Sequence, residues 1–413
     1  MKDTLTNKPL TINDLPIHIS QKRIKMVDFN DTKTAFILKS DAQLRKAYWL
    51  FKLVANKSLV GLGKKASSLA IKLGLPIRTV VKQTVYDQFV GGESIEECEP
   101  IINKLQEYNV FALLDFAVEG KETDADFDAT KDEIVQTIKY GAKRNGIPFA
   151  VFKVTGVAAF PLLEKYSAGK AFSELESRAW TRAKNRIEEI CYTAHKFGMC
   201  IMIDAEESWI QKAIDEMALE MMQRFNKEQI VVVNTLQMYR VDRLDFLKES
   251  YKLAQDKQFK LGVKLVRGAY MEKERQRAKE LNYKDPIHAN KEGSDTSYDD
   301  GIEFVLNNYE DILLVAGSHN EESARKLAEK MEDKGIAHNH PNVWFSQLYG
   351  MSDNLSFNLA AGGYNVVKYL PFGPVNETLP YLIRRAEENT SAGGQSTREL
   401  SLIQQEIKRR GLD

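Results

Sequence analysis

Eight short apolar runs, separated by helical stretches, limit what this chain can fold into. They span 110–118, 149–154, 200–204, 230–236, 260–266, 312–316, 343–348 and 366–370. Runs this short, apolar without alternation, read as parallel strands buried under crossover helices. Eight such units predict an α/β chain of the (β/α)8 barrel type, with a doubly wound open sheet as the competing architecture. The first hundred residues read differently, with helices expected over 39–60, 64–73, 77–89 and 94–108. The expected organisation is therefore a helical extension over 1–107 and a barrel over 108–413.

Polar residues gather where each run stops. Glu119, Lys153, Asp204 with Glu206, Asn234 with Gln237, Lys264 with Arg267, Ser318-His319-Asn320, Gln347 and Tyr369 all lie at or beyond a predicted strand end. In a (β/α)8 barrel these positions converge on the face where active sites are built. Asp204 follows Cys200-Ile-Met-Ile, so burial would penalise its charge unless a cation sits beside it. Lys153, one strand earlier, is the expected partner. Lys264 and Arg267, next to Gly268, put two cations where the backbone can approach a ligand closely.

Other classes find little support. No G-x-G-x-x-G follows a strand and no Walker-type loop exists. The 58 basic and 58 acidic residues cancel, whereas nucleic-acid binders carry a basic excess. His338-Asn-His340 precedes Pro341 with no nearby carboxylate and reads as a solvated turn. No run of 18 uncharged apolar residues is present. Three scattered cysteines and an opening segment without an apolar h-region suggest a reduced, cytoplasmic setting. The stretch 400–410 reads as an ordinary terminal helix rather than a membrane anchor.

The segment from Tyr369 to Asn389 is the most informative. It reads as a strand end, a Pro/Gly turn and a helix on which Tyr381, Arg384, Arg385 and Glu388 share one face. Adjacent guanidiniums beside aromatic rings suit bidentate capture of a small carboxylate or phosphate. The alternative is a solvated face with two ordinary arginines.

Together, Leu265-Val-Arg-Gly-Ala-Tyr270, Ile203-Asp-Ala-Glu206, Ser318-His-Asn320 and the 369–389 segment resemble the proline dehydrogenase family, over roughly 109–395. The resemblance implies a distorted barrel whose last helix sits over the mouth. It implies oxidation of L-proline to 1-pyrroline-5-carboxylate, with hydride passing from C5 to non-covalently bound FAD. A membrane quinone would be the electron acceptor, reached through a peripheral membrane contact. With no aldehyde dehydrogenase domain in the sequence, a separate 1-pyrroline-5-carboxylate dehydrogenase would take the product.

The resemblance also implies roles. Arg384 and Arg385 would grip the proline carboxylate, with Lys153 as a third cation. Tyr369, Tyr381 and Leu348 would pack on the ring. Glu388 would brace the arginines and Glu119 would pair with Arg384. Asp204 would support catalysis by fixing Lys153. Lys264 would stand near the reactive edge of the flavin, where fixed positive charge favours hydride acceptance. Ala205, Asn234, Val266, Arg267, Gly268, Ala269, Ser318 and His319 would hold the cofactor. Asn234 stands where many members carry Gln, and Met271 where some carry an aromatic residue. Hydroxyproline dehydrogenase activity, or a non-catalytic barrel binding protein, are the alternatives. Tyr369 would leave little room for a 4-hydroxyl.

Overall fold

The computed structural model describes residues 27–54, 78–118, 122–391 and 395–412. Among them, eight strands close in sequence order into a parallel barrel. They are β1 (Val110–Phe116), β2 (Phe149–Lys153), β3 (Cys200–Asp204), β4 (Val232–Gln237), β5 (Leu261–Val266), β6 (Ile312–Gly317), β7 (Val343–Leu348) and β8 (Val366–Phe372). The open sheet is excluded. The strands are buried almost throughout, which explains why their sequences run apolar instead of alternating.

The described residues fall into two compact units, one spanning 122–314 and the other joining 27–118 to 315–412. In the first, β2 to β5 pair in parallel register beneath helices Asp124–Gly141, Glu174–Phe197, Ser208–Phe225 and Arg243–Lys257. Local chemistry fixes the helix ends. Thr123 with Asp126, and Ser173 with Glu176, form reciprocal capping boxes. Gly198, at φ 67°, ends the longer helix in the left-handed conformation that glycine adopts at little cost.

In the second unit, β8 pairs with both β1 and β7. Its helical part is not a free-standing appendage. Leu44, Ala47 and Phe51 of helix Asp41–Val54 share one core with Tyr86, Phe89 and with Leu402, Ile403 and Ile407 of helix Gln395–Arg409. Thr32 Oγ1 donates to Glu406 Oε2 at 2.9 Å across this core. The terminal helix thus spends its apolar face on packing, as an ordinary helix does. The expected helix over 39–60 is observed over Asp41–Val54, and 77–89 as a continuous helical run from Arg78 to Phe89 containing a π-type turn at Lys82–Tyr86. The helix expected over 64–73 lies outside the described residues.

Two expectations need correcting. β8 does not stop at Leu370 but continues through Pro371 to Phe372, so Tyr369 sits mid-strand and not at its end. Pro371 has no N–H to give, but its carbonyl still accepts from Gly91 N at 2.8 Å. His338 lies in a turn as expected, but a half-buried one, with the Glu332 carboxylate 3.6 Å from its Nε2. Its ring stacks on Tyr364 at 4.0 Å and its Nδ1 bonds the Gly362 carbonyl at 2.9 Å. No group of three metal-ligating side chains occurs among the described residues.

Candidate active site

In the 122–314 unit the register builds a row of polar side chains. Lys153 pairs with Asp204, and Thr235 with Lys264, while Ile203 pairs with Asn234 and so puts Asp204 beside Thr235. Register partners in parallel strands point to the same face. Lys153, Asp204, Thr235 and Lys264 therefore form one row across β2 to β5. Asp204 and Lys264, only 9% and 5% exposed, make an ion pair, and Thr235 Oγ1 donates to Asp204 Oδ1 at 3.3 Å. Asp204 thus has Lys264 as an ion-pair partner, and Lys153, the partner expected from the sequence, stands beside it in register. Lys153 also lends its charge to Glu206, opposing the burial that pushes that carboxyl up to about 7. Glu206 also accepts from Thr155 N at 3.1 Å and Thr155 Oγ1 at 2.5 Å.

Asn234 is one residue out of this row, so its side chain points the other way. Its Nδ2 donates to Asp215 Oδ1 at 2.9 Å, and Asp215 Oδ2 is held by Arg243 at 2.6 Å, on the helix side of the strand. The expected cofactor-holding role of Asn234 does not fit this orientation. Gln237, two residues after Thr235, shares the face of Lys264. It donates to the Glu206 carbonyl at 2.7 Å and accepts from Ala269 N at 3.3 Å.

The loop after β5 passes close to its neighbour. Gly268 has φ 139°, and a Cβ there would lie 2.5 Å from the Tyr239 ring, so only glycine fits. Gly268 and Ala269 are exposed, and Val266 and Ala205 partly so. Arg267 is anchored by Asp295 at 2.7 Å and lies 4.5 Å from the centre of the Tyr298 ring.

The second unit carries the rest. Leu348 and Tyr369 are register partners on β7 and β8, Tyr369 being 8% exposed. Ser318 and His319 follow β6. Burial, with the charges of Lys368 and Arg385, drives His319 down to about 3, so its imidazole is neutral. Its Nδ1 meets Ser352 Oγ at 2.9 Å. Ser352 sits in the left-handed region at φ 50°, and its N–H donates to Glu399 at 3.0 Å. On helix Leu379–Ser391, Tyr381 and Arg385 are 3% and 8% exposed, with the guanidinium 5.1 Å from the ring centre. Arg384 is half-buried. This face is not solvated. Glu119, and the side chain of Glu388, lie outside what the structure describes.

The sequence analysis missed Lys368. It is wholly buried on β8 and points to the face opposite Tyr369, where it meets Asp353 Oδ1 at 2.8 Å and the Met351 carbonyl at 2.6 Å. The available signal was a lysine inside an apolar run.

A parallel eight-stranded barrel with buried charged rows on its strands belongs to the class of (β/α)8-barrel proteins. The model of the proline dehydrogenase family matches residues 98–398. The chain is 33% identical to proline dehydrogenase 1, mitochondrial, of Dictyostelium discoideum, covering 92% of this chain and 74% of that protein. It is 29% identical to hydroxyproline dehydrogenase of Xenopus laevis, covering 91% and 88%. Among solved structures, proline utilization A from Bdellovibrio bacteriovorus superposes with a TM-score of 0.68 at 19% identity. That likeness is one of fold, covering 88% of this chain but only 36% of the other. The chain belongs to the proline dehydrogenase family, oxidoreductases of proline catabolism. No helix among the described residues is long and apolar enough to cross a membrane.

Proposed function

We propose that the chain oxidises L-proline to 1-pyrroline-5-carboxylate, with FAD as resident cofactor and a membrane quinone as final acceptor. The observation that carries this reading is the buried, in-register Asp204–Thr235–Lys264 row. An ammonium fixed in a site shielded from water favours negative charge developing beside it. FAD, when bound, supplies the acceptor for the C5 hydride and its electron pair. Asp204 positions the ammonium and offsets the cost of burying it.

The residues fit such a cofactor in donor chemistry. The backbone at Gly268 and Ala269 is open, and Arg240 Nη1 is buried without a hydrogen-bond partner. Buried donors of that kind suit an oxygen-rich ligand. Gln237 replaces Asn234 as the amide on the Lys264 face. His319, being neutral, can donate from one ring nitrogen while accepting at the other.

For the substrate, Arg384 and Arg385 take the carboxylate and Lys153 adds a third cation. Tyr369, Tyr381 and Leu348 bound the ring. Cations around the carboxylate also favour loss of a proton from the secondary ammonium, leaving the neutral amine that hydride departure needs. Tyr369 restricts space at the 4-position and favours proline over hydroxyproline.

Anaerobic addition of proline to the yellow protein should bleach its visible absorption, and a quinone should restore it. A colourless protein that cannot be reconstituted with FAD would sink the proposal. Turnover on hydroxyproline exceeding that on proline would reassign the substrate.

A further inference from the structure

The geometry points to the outer face of helix Asp41–Val54 as a docking surface for an anionic membrane. The inner face of this helix is closed, with Leu44, Ala47 and Phe51 buried in the core shared with helix Gln395–Arg409. The outer face carries two large apolar side chains in water, Trp49 at 59% exposure and Leu53 at 53%. Four residues apart, they form one ridge along the helix. Arg45, one turn earlier and exposed while donating to the Leu412 carbonyl at 3.2 Å, continues that ridge; Lys52 flanks it, and Lys46 is ion-paired with Asp87 at 3.1 Å. The Lys52 ammonium lies 4.9 Å from the centre of the Trp49 ring.

The sequence around the helix is basic. Between Asp41 and Asp87 it holds seven lysines, two arginines and no acidic residue, with Lys46 and Lys82 ion-paired to Asp87 and Glu93. Exposure alone would not distinguish this helix. Helix Glu174–Phe197 also exposes Leu175 and Tyr192, but interleaves its cations with Glu174, Glu176, Glu188 and Glu189. Basic residues near an anionic leaflet each add about fivefold to affinity. A tryptophan and a leucine between them suit the interface, where an amphipathic ring rests at headgroup level. A nucleic acid would answer the charges but not the apolar ridge. The inference rests on the membrane-quinone part of the proposed function and gives it a surface.

The test is co-sedimentation of the full-length holoprotein with vesicles of phosphatidylcholine, with and without phosphatidylglycerol. Binding should require phosphatidylglycerol and weaken with salt. Trp49→Gln/Leu53→Gln and Arg45→Gln/Lys52→Gln should each lower vesicle partition by about tenfold or more. Thermal unfolding and proline-dependent reduction of a soluble dye should stay at wild-type levels, while reduction of vesicle-borne quinone falls with binding. Equal partition of wild type and both variants, or no partition onto phosphatidylglycerol vesicles, overturns the assignment. So does self-association abolished by Trp49→Gln/Leu53→Gln without vesicle binding, which would make the face a contact between copies. If dye reduction by proline fails in the wild type, the catalytic reading falls, and the vesicle result still decides the docking surface.

Discussion

Lys264 and Lys368 are both buried in barrel strands and both paired with an aspartate, yet their surroundings differ. Lys264 points away from the helices of its unit, in a polar row with Thr235 and Asp204, beside a loop with exposed backbone. Lys368 points towards a helix, where Asp353, the Met351 carbonyl and Lys39 surround it at the edge of a cavity of about 350 Å³. Under the proposed function, the same residue pair serves the cofactor on one strand face and holds β8 to its neighbours on the other. Strand parity, more than burial or residue type, assigns the role.

The comparison can be broken most directly by removing each ammonium. Lys264→Met should slow flavin reduction by proline about a hundredfold or more per folded molecule in stopped-flow measurements, and should also lower stability because Asp204 loses its buried ion-pair partner. Lys368→Met leaves Asp353 with only Lys39, at 3.5 Å, and should cost about 3 kcal/mol of stability by denaturant titration. If flavin reduction per folded molecule is unchanged in Lys264→Met, or falls as far in Lys368→Met, the assignment by face is wrong.

A smaller effect sharpens the same point within one strand. Asn234→Ala opens the Asp215–Arg243 network and should cost about 1–3 kcal/mol, with turnover per folded molecule preserved. Gln237→Ala should weaken retention of the cofactor in a reconstitution assay. For specificity, Tyr369→Ser should narrow the preference for proline over hydroxyproline by about tenfold in kcat/KM.

The smallest expected effect is a pH signature at Ser352, which joins two oppositely shifted groups. His319 is lowered from 6.5 to about 3, so the unfolded chain binds the extra proton between those values and stability falls as pH drops through that window. Glu399 is raised from 4.5 to about 7, mainly by burial, so the folded chain holds the extra proton and stability falls as pH rises from 4.5 towards 7. The slopes oppose each other between about 4.5 and 6.5. Glu399→Gln should unmask the histidine, giving stability that declines on acidification by about 1 kcal/mol per pH unit. An unchanged profile would remove Glu399 from this linkage.

The barrel was legible because eight apolar runs of strand length leave few alternatives. β8 was read short because Pro371 looks like a terminator, yet a parallel strand can run past a proline whose carbonyl is still used. The site was half legible. Residue types at strand ends pointed to Asp204, Lys264, Tyr369 and the arginine helix. Which face each side chain takes was not, because strands buried on both sides carry no polar alternation to reveal parity. That is why Asn234, which faces Asp215, was singled out with no hint of its orientation, and why Lys368 passed unnoticed.

The hydrogen bond from Thr32 to Glu406 joins residues 374 positions apart. Its consequence concerns synthesis. The unit to which both belong is interrupted by the whole of 122–314, which leaves the ribosome as a continuous stretch. That inserted stretch can complete its own contacts while the chain is still growing, whereas the flanking unit must wait for nearly the last residue. Until then Leu44, Phe51 and Phe89 have no Leu402 or Ile403 to pack against. Helix Asp41–Val54 is made long before helix Gln395–Arg409, so the core they share closes only after both have been synthesised.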